Sequence, residues 1–199
     1  TGTLELMRTT LCDFAEIRPG YPFRGTITPV DEATTRVVQV RDVDIFGEIN
    51  TKQLITTRLT GRKQPDWLRS GDILFVAKGA KHFATCVHEL PEHSVCSPHF
   101  FIVRIKVQHS KSVLPEFINW QLNQLPAQRY FKTTAEGSLC VSIRRKILED
   151  TPITLPAITK QKHLVALYRA AVSEHKVLQQ LIENRQQQLD AIALDILSS

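Results

Sequence analysis

No apolar run in this 199-residue sequence approaches the ~20 residues that a membrane-crossing helix needs, and no signal-peptide pattern is visible. Cysteine is sparse. Cys12, Cys86, Cys96 and Cys140 are scattered without the spacing of a disulfide framework, which points to reduced thiols and a cytoplasmic location. No Gly-x-Gly occurs, and no glycine-rich loop runs into Lys-Ser/Thr, so the nucleotide-binding turns lack their signature. No Pro-Pro pair occurs either, which removes the Asp/Asn-Pro-Pro-Tyr/Phe signature of amino-methyltransferases.

Other enzyme patterns fail on spacing. His88-Glu89-Leu90-Pro91-Glu92-His93 separates its histidines by five residues instead of four, and Pro91 breaks the helix that a zinc-protease site requires. His82, Cys86, His88, His93, Cys96 and His99 are residue types that bind zinc, but they include no Cys-x-x-Cys pair. They read as buried thiols and surface imidazoles, and no metal or other cofactor is expected. Asp66 with Glu174-x-Lys176 has nuclease-like residue types, but Glu and Lys on a helix face usually mean solvation, and the spacing is chance.

What is present is an ordinary globular composition, 42% hydrophobic and 23% charged, enough to bury a core. Lys+Arg exceed Asp+Glu by 25 to 20, a net charge of +5 that is compatible with a polyanionic partner. Met7 is the only methionine. Residues 1–10 read as an N-terminal extension, and the six ahead of Met7 are set aside as foreign to the fold.

From about Thr9 to Val107 the signals are those of strands. Val37-Val38-Gln39-Val40 leads to Val43 and Ile45, Ile73-Leu74-Phe75-Val76 follows the turn Ser70-Gly71-Asp72, and Phe101, Val103, Ile105 and Val107 alternate at period two. Turns at Arg18-Pro19-Gly20, Phe46-Gly47, Thr60-Gly61 and Lys78-Gly79 separate them. From Leu114 to about Pro156 the pattern is mostly helical. Pro115 suits a first helical position, Phe117, Ile118, Leu122 and Leu125 recur at helical spacing, and Pro126 is expected to stop that helix. Then come a short helix through Gln128-Arg129-Tyr130-Phe131, a loop at Glu136-Gly137-Ser138, another short helix from Ile143 to Leu148, and an extended Ile153-Thr154-Leu155.

The last region is one helix from about Thr159, a candidate cap, to Leu197, with no Gly or Pro inside it and a length of roughly 57 Å. Leu164, Tyr168, Ala171, His175, Leu178, Ile182, Arg185, Leu189, Ile192 and Ile196 step by alternating threes and fours, the period of a coiled-coil seam. A lone helix cannot hide such a stripe, so a partner is required.

A set of short motifs runs through most of the chain. Leu11-Cys12-Asp13-Phe14-Ala15-Glu16-Ile17 is followed by Gly20, and Leu68-x-x-Gly71-Asp72-Ile73-Leu74-Phe75 by Gly79. Trp120-Gln121-Leu122-Asn123, Gln128-x-Tyr130-Phe131 and Gly137-Ser138 come next, then Ile143-x-Arg145-x-x-Leu148, Pro152-Ile153 and Pro156-x-x-x-x-Gln161. In this order they resemble the target-recognition domain and adjoining helix of Type I restriction–modification specificity subunits, with Cys12 standing where that family usually has Gly.

The resemblance implies an α+β fold. A globular target-recognition domain with mixed β-sheet and short helices would occupy residues 11–156, and one long coiled-coil helix residues 157–199. It also implies a non-catalytic subunit. In that family two recognition domains are joined by two antiparallel helices, bind double-stranded DNA, and scaffold methyltransferase and endonuclease chains that hold the active sites. One domain and one helix then imply a half-subunit, restored as a homodimer that reads a bipartite inverted site. A methyltransferase helix is the other candidate for covering the seam, and a coiled-coil adaptor without specific DNA binding is the alternative function.

A DNA reader needs cations for phosphates and forked or amide side chains for base edges. Thr51 to Lys63 supplies Lys52, Gln53, Arg58, Arg62 and Lys63 between threonines, and is expected as a loop or hairpin entering a groove. Lys78, Lys81 and His82 follow a strand end and a glycine turn, and Arg24, Arg129 and Lys132 are further candidates. The competing reading of each is a solvated surface charge. Arg144, Arg145 and Lys146 form a basic cluster suited equally to holding the domain against its own helix.

Arg185 is the irregular member of the seam. In an antiparallel pair centred near Leu178 it would approach the partner's Ala171, a large residue against a small one, with the guanidinium reaching water. Arg185→Leu is therefore expected to alter the orientation or stability of the dimer. Sedimentation and cross-linking of introduced cysteine pairs measure both, and an unaltered dimer removes Arg185 from the register.

Overall fold

The structure, a computed structural model, describes residues 7–61, 63–135 and 142–198. Strand β5 (Ile73–Val76) is an unbroken apolar run because both of its faces are covered. It lies inside a four-stranded antiparallel sheet with β2 (Ala15–Pro19), β8 (Phe100–Ile105) and β6 (Ala84–Cys86), in the order β2-β8-β5-β6. Successive side chains of a strand point to opposite faces. Ile73 and Phe75, with Ile17, Ala84 and Val103, pack against Phe117, Ile118 and Leu122 of helix α2 (Pro115–Leu122), Phe131 of α3 (Leu125–Ala135) and Leu148 of α4 (Arg145–Glu149).

Leu74 and Val76, with Phe100 and Ile102, face the other way onto Val38 of β3 (Thr35–Val38) and Cys96 of β7 (Ser94–Cys96). Those strands belong to a second sheet, ordered β4-β3-β7, in which β4 (Ile55–Thr57) is antiparallel and β7 parallel to β3. Its far face, Val37 and Val95, forms a third cluster with Tyr21. The two sheets are laced together at Gly20 and Tyr21: the Gly20 N–H donates to the Phe100 carbonyl of β8 at 3.1 Å, and the Tyr21 N–H to the Cys96 carbonyl of β7 at 2.9 Å. A Cβ at Gly20 would lie 2.1 Å from the Ser97 carbonyl oxygen, a distance only glycine avoids.

Helix α1 (Leu11–Phe14) precedes β2, and β1 (Met7–Thr10) pairs antiparallel with β9 (Pro152–Leu155). Part of the expected extension is thus a strand that closes the end of the domain. Several other boundaries differ from the sequence reading. Strand β3 stops at Val38, and Val40–Asp42 is a 3-10 turn in which buried Asp42 accepts the Gln39 N–H at 2.7 Å. The alternation through Val107 ends at Ile105, and Val107 is 89% exposed.

Pro126 does not stop α2. That helix ends at Asn123, whose side-chain amide pairs with the Ala84 N–H and carbonyl at 2.9 and 2.8 Å. Pro126 instead occupies the first turn of α3, where a missing N–H costs nothing. The expected loop at Glu136-Gly137-Ser138, Arg62 and Cys140 lie outside the described residues.

Helix α5 (Ile158–Leu197) is 40 residues long, about 60 Å, with Ala157 rather than Thr159 at its N-cap. No described helix is long and apolar enough to cross a membrane. The root of α5 is tied to the domain by Gln161, which is 0% exposed. Its Oε1 accepts the Leu114 N–H at 2.9 Å, and its Nε2 donates to the Ser112 and Pro156 carbonyls at 2.9 and 2.8 Å. Val165, one turn on, joins the main core.

A buried ion pair ties together the two central strands of the main sheet, β8 and β5. Arg104 donates from Nε and Nη2 to both oxygens of Asp72, at 2.7 and 2.6 Å, and from Nη2 to the Trp67 carbonyl at 3.0 Å. The Asp72 side chain is 2% exposed. Removing one partner strands the other charge, so Asp72→Ala is expected to cost about 3–5 kcal/mol in a denaturant titration. Asp72→Ala with Arg104→Leu should cost clearly less, and equal losses would mean that the pair is not coupled.

Candidate nucleic-acid interface

The loop after β5 is built to present its tip. Val76 N–H donates to the Phe83 carbonyl at 2.8 Å, and the N–H groups of Ala77 and Lys78 both donate to the His99 carbonyl, at 2.8 and 3.2 Å. His82 lies under the loop: its Nδ1–H donates to the Val76 carbonyl at 2.9 Å and its ring stacks on Phe75. Its buried Nε2 has no partner among the described residues. Lys78 and Lys81 are left exposed at the tip. Phe75 also packs on Phe131, 4.8 Å between ring centres, so the same ring carries α3 with exposed Arg129 and Lys132. Phe75 thus touches both the ring of His82 under the lysine loop and Phe131 of the helix that carries Arg129 and Lys132.

Arg24, Arg58 and Lys63 form a second group over the three-stranded sheet. Tyr21, 5% exposed, packs edge-on against Phe23, and its hydroxyl accepts the Gly61 N–H at 2.9 Å. That contact brings the segment after Gly20 to the segment after β4, with all three basic side chains exposed. Lys52 and Gln53 do not join them. They occupy a turn capped by Asn50, whose Oδ1 accepts the Lys52 N–H at 3.2 Å, at the opposite end of β4 from Arg58.

The expected loop from Thr51 to Lys63 is thus interrupted by a strand. Thr57 is buried opposite Thr35, its antiparallel partner on β3.

Charge pairing separates architectural cations from available ones. Arg18, Arg104, Arg145, Lys146, Arg169 and Lys176 hold carboxylates at 2.6–2.9 Å. In Arg18 the hydrogen bond to Glu16, then that to Asp66, raises the guanidinium's affinity for its proton. Lys63 stands 3.9 Å from Asp66. Arg24, Lys52, Arg58, Lys78, Lys81, Arg129 and Lys132 pair with no acid among the described residues. Arg145 and Lys146 bind Glu149 and Asp150 within α4, not the long helix. His99, exposed and tied through its carbonyl to the Lys78 loop, belongs to this surface although no sequence signal marks it.

The long helix divides its faces. Gln161, Val165, Val172 and Lys176, spaced by four and seven, turn toward the domain, and Leu164 and Tyr168 lean the same way. His175 meets Phe46 edge-on, 5.3 Å between ring centres. These last three therefore touch their own chain. Ala171, Leu178, Ile182, Arg185, Leu189, Ile192 and Ile196 are exposed, joined by Leu167 and Leu181, which the strict seam omits. The seam drifts around a straight helix because 3.5 does not equal 3.6 residues per turn.

The thiols are not grouped as ligands. Cys86 lies in the four-stranded sheet and Cys96 in the three-stranded one, and among the described residues no group of three or more His, Cys, Asp or Glu is arranged to hold a metal. Burial pushes the Cys86 thiol up to about 12 and raises that of Cys96 as well. A thiol reagent at pH 8 is therefore expected to modify half-exposed Cys12 and to spare Cys86 and Cys96 until the chain unfolds. Peptide mapping by mass spectrometry reads this, and labelling of Cys86 at the rate of Cys12 in the folded chain would contradict it.

No protein-family model matches the sequence, and no curated protein matches it. Solved structures do match. The chain superposes on a chain of the type I R-M system solved to explain its complex assembly and conformational transition, with a TM-score of 0.70 at 17% identity, covering 94% of this chain and 48% of that one. The HsdS subunit from Thermoanaerobacter tengcongensis gives 0.61 at 18% identity, over 94% and 46%. The Type I restriction–modification S subunit from M. genitalium gives 0.61 at 12%, over 94% and 44%. The chain spans about half the length of the solved chains it matches. It has the fold of one half of a Type I restriction–modification S subunit.

Proposed function

We propose that this chain is a sequence-specific DNA-recognition half-subunit of a Type I restriction–modification system, non-catalytic, pairing through α5 with a second copy. One observation carries the reading. A domain with the fold of half an S subunit extends a helix whose outer face is apolar and bare, with Leu167, Leu178, Ile182, Leu189, Ile192 and Ile196 each at least half exposed. Covering such a stripe is worth about 25 cal/mol per Å² of apolar surface.

Charge favours an antiparallel partner of the same sequence. The root half of α5 carries Lys160, Lys162, Arg169 and Lys176 against Glu174, and the distal half carries Glu183, Asp190 and Asp195 against Arg185. Arg169 and Lys176 are engaged by Glu116 and Glu48, which leaves Lys160 and Lys162 to define the basic end. Antiparallel pairing sets basic root against acidic tip and opposes the helix macrodipoles favourably; parallel pairing sets like against like.

A two-fold dimer presents two identical readers, so its site is an inverted repeat with a gap set by the helices. In this reading Lys78, Lys81, Arg129 and Lys132 with His99 form one contact group, with His82 buried beneath the loop as its support, and Arg24, Arg58 and Lys63 form another. The exposed lysines contact phosphates, and the guanidinium groups reach base edges. Methyltransferase and endonuclease chains, which would hold the chemistry, assemble on the paired helices.

Selection from a randomised duplex library by the full chain is expected to return two inverted half-sites at a fixed separation. If six to ten phosphates are contacted, affinity falls by about 10³–10⁵ between 50 and 200 mM salt. Leu189→Asp with Ile192→Asp should give a monomer that has lost the paired site. A dimer that selects no sequence and ignores salt would leave a coiled-coil adaptor as the better description.

A further inference from the structure

Between its root and its midpoint, α5 stands off the domain. An open groove of about 660 Å³ separates Val172 and Ser173 of the helix from Cys86, His88 and Asn119 of the body. Close packing therefore fixes the helix at Gln161 and Val165 but not beyond. Among the described residues two polar links cross the gap: Arg169 to Glu116 at 2.9 Å, and Lys176 to Glu48 at 2.6 Å. At the second crossing Phe46 also meets the His175 ring, and Lys176 Nζ lies 5.5 Å from the Phe46 ring centre.

The turn that provides Phe46 and Glu48 is stiff. Asp44 Oδ1 accepts the N–H groups of Phe46 and Glu48 at 2.8 and 2.9 Å, and the Asp44 carbonyl accepts the Gly47 N–H at 3.0 Å. Gly47 sits at φ 77°, which favours glycine. The Thr85 hydroxyl donates to the Gly47 carbonyl at 2.6 Å and bolts the turn to β6. A solvated loop has no need of this bracing.

We infer that the Asp44–Glu48 turn is a strut that sets the angle between the recognition domain and its long helix, and through that angle the separation of the two half-sites. This rests on the dimeric reader proposed above. The leverage is large. Gln161 to Lys176 is about 22 Å along the helix and Gln161 to Leu197 about 54 Å. A movement of about 1.4 Å at the strut becomes about 3.4 Å at the tip, the rise of one base pair. Phe46, Glu48 and Lys176 are thus positioning residues that touch neither DNA nor the partner helix.

The test is Phe46→Ala with Glu48→Gln in the full chain, with Glu89→Gln as a control that lines the same groove without an ion pair to the helix. Both side chains lie outside the hydrophobic clusters, so folding should be retained. Duplexes selected from the randomised library should keep the same half-site. Discrimination against a gap one base pair longer or shorter should fall about five- to tenfold, the range open to a few surface contacts.

A second readout needs neither DNA nor dimer. Spin labels at Gln53→Cys, in the exposed turn that follows the strut and away from the Gln161 root, and at Gln187→Cys, with Cys12 and Cys140 replaced by Ser and labelled chain diluted in unlabelled, should give a narrow distance distribution that the double variant broadens. An unchanged gap preference with an unchanged distribution overturns the strut. If the wild-type chain selects no paired half-sites, the dimeric-reader proposal fails; the label distances then decide the strut, broadening supporting it and an unchanged distribution overturning it.

Discussion

A buried amide cannot be left unsatisfied, and Gln161 answers this by bonding three main-chain groups from two separate segments. Those bonds join the start of α2, the end of β9 and the first turn of α5 into one rigid root. The long helix is anchored to the domain at that point. With the root fixed, the inward face of α5 is spent on the domain, and the apolar residues of the opposite face are left in water.

The domain beneath is organised by a sheet that is covered twice. Helices pack on the Ile73 and Phe75 side, the three-stranded sheet on the Leu74 and Val76 side. Because both faces are sealed, variable chemistry is confined to strand ends and connecting loops, where backbone groups can be satisfied without rebuilding the core. The Lys78–His82 loop and the Tyr21–Gly61 junction are such places. Each is braced by hydrogen bonds that hold cationic side chains outward, the arrangement a polyanion reader requires.

Local and global order were legible to different degrees. The apolar run at 73–76, Pro115 at a first helical position, the extended Ile153-Thr154-Leu155 and the uninterrupted helix to Leu197 can all be read directly, because each depends on a few adjacent residues. Pro126 misled because a proline that ends one helix is equally at home in the first turn of the next. Glu and Lys on a helix face read as solvated charges, yet Lys176 crosses a groove to Glu48, a residue far away in the chain. His99 joins the Lys78 loop through a carbonyl, which no side-chain pattern announces.

Sequence alone determined the alternation of strand and helix, the length of α5 and its apolar period, since these follow from propensity and spacing within a few turns. Tertiary structure decided which residues of that period face outward, because docking at Gln161 and Val165 turns Leu164 and Tyr168 toward the domain and leaves Leu167 and Leu181 in solvent. It also decided which cations pair with carboxylates and which remain available. Charges distant in the chain meet only once the sheets have closed.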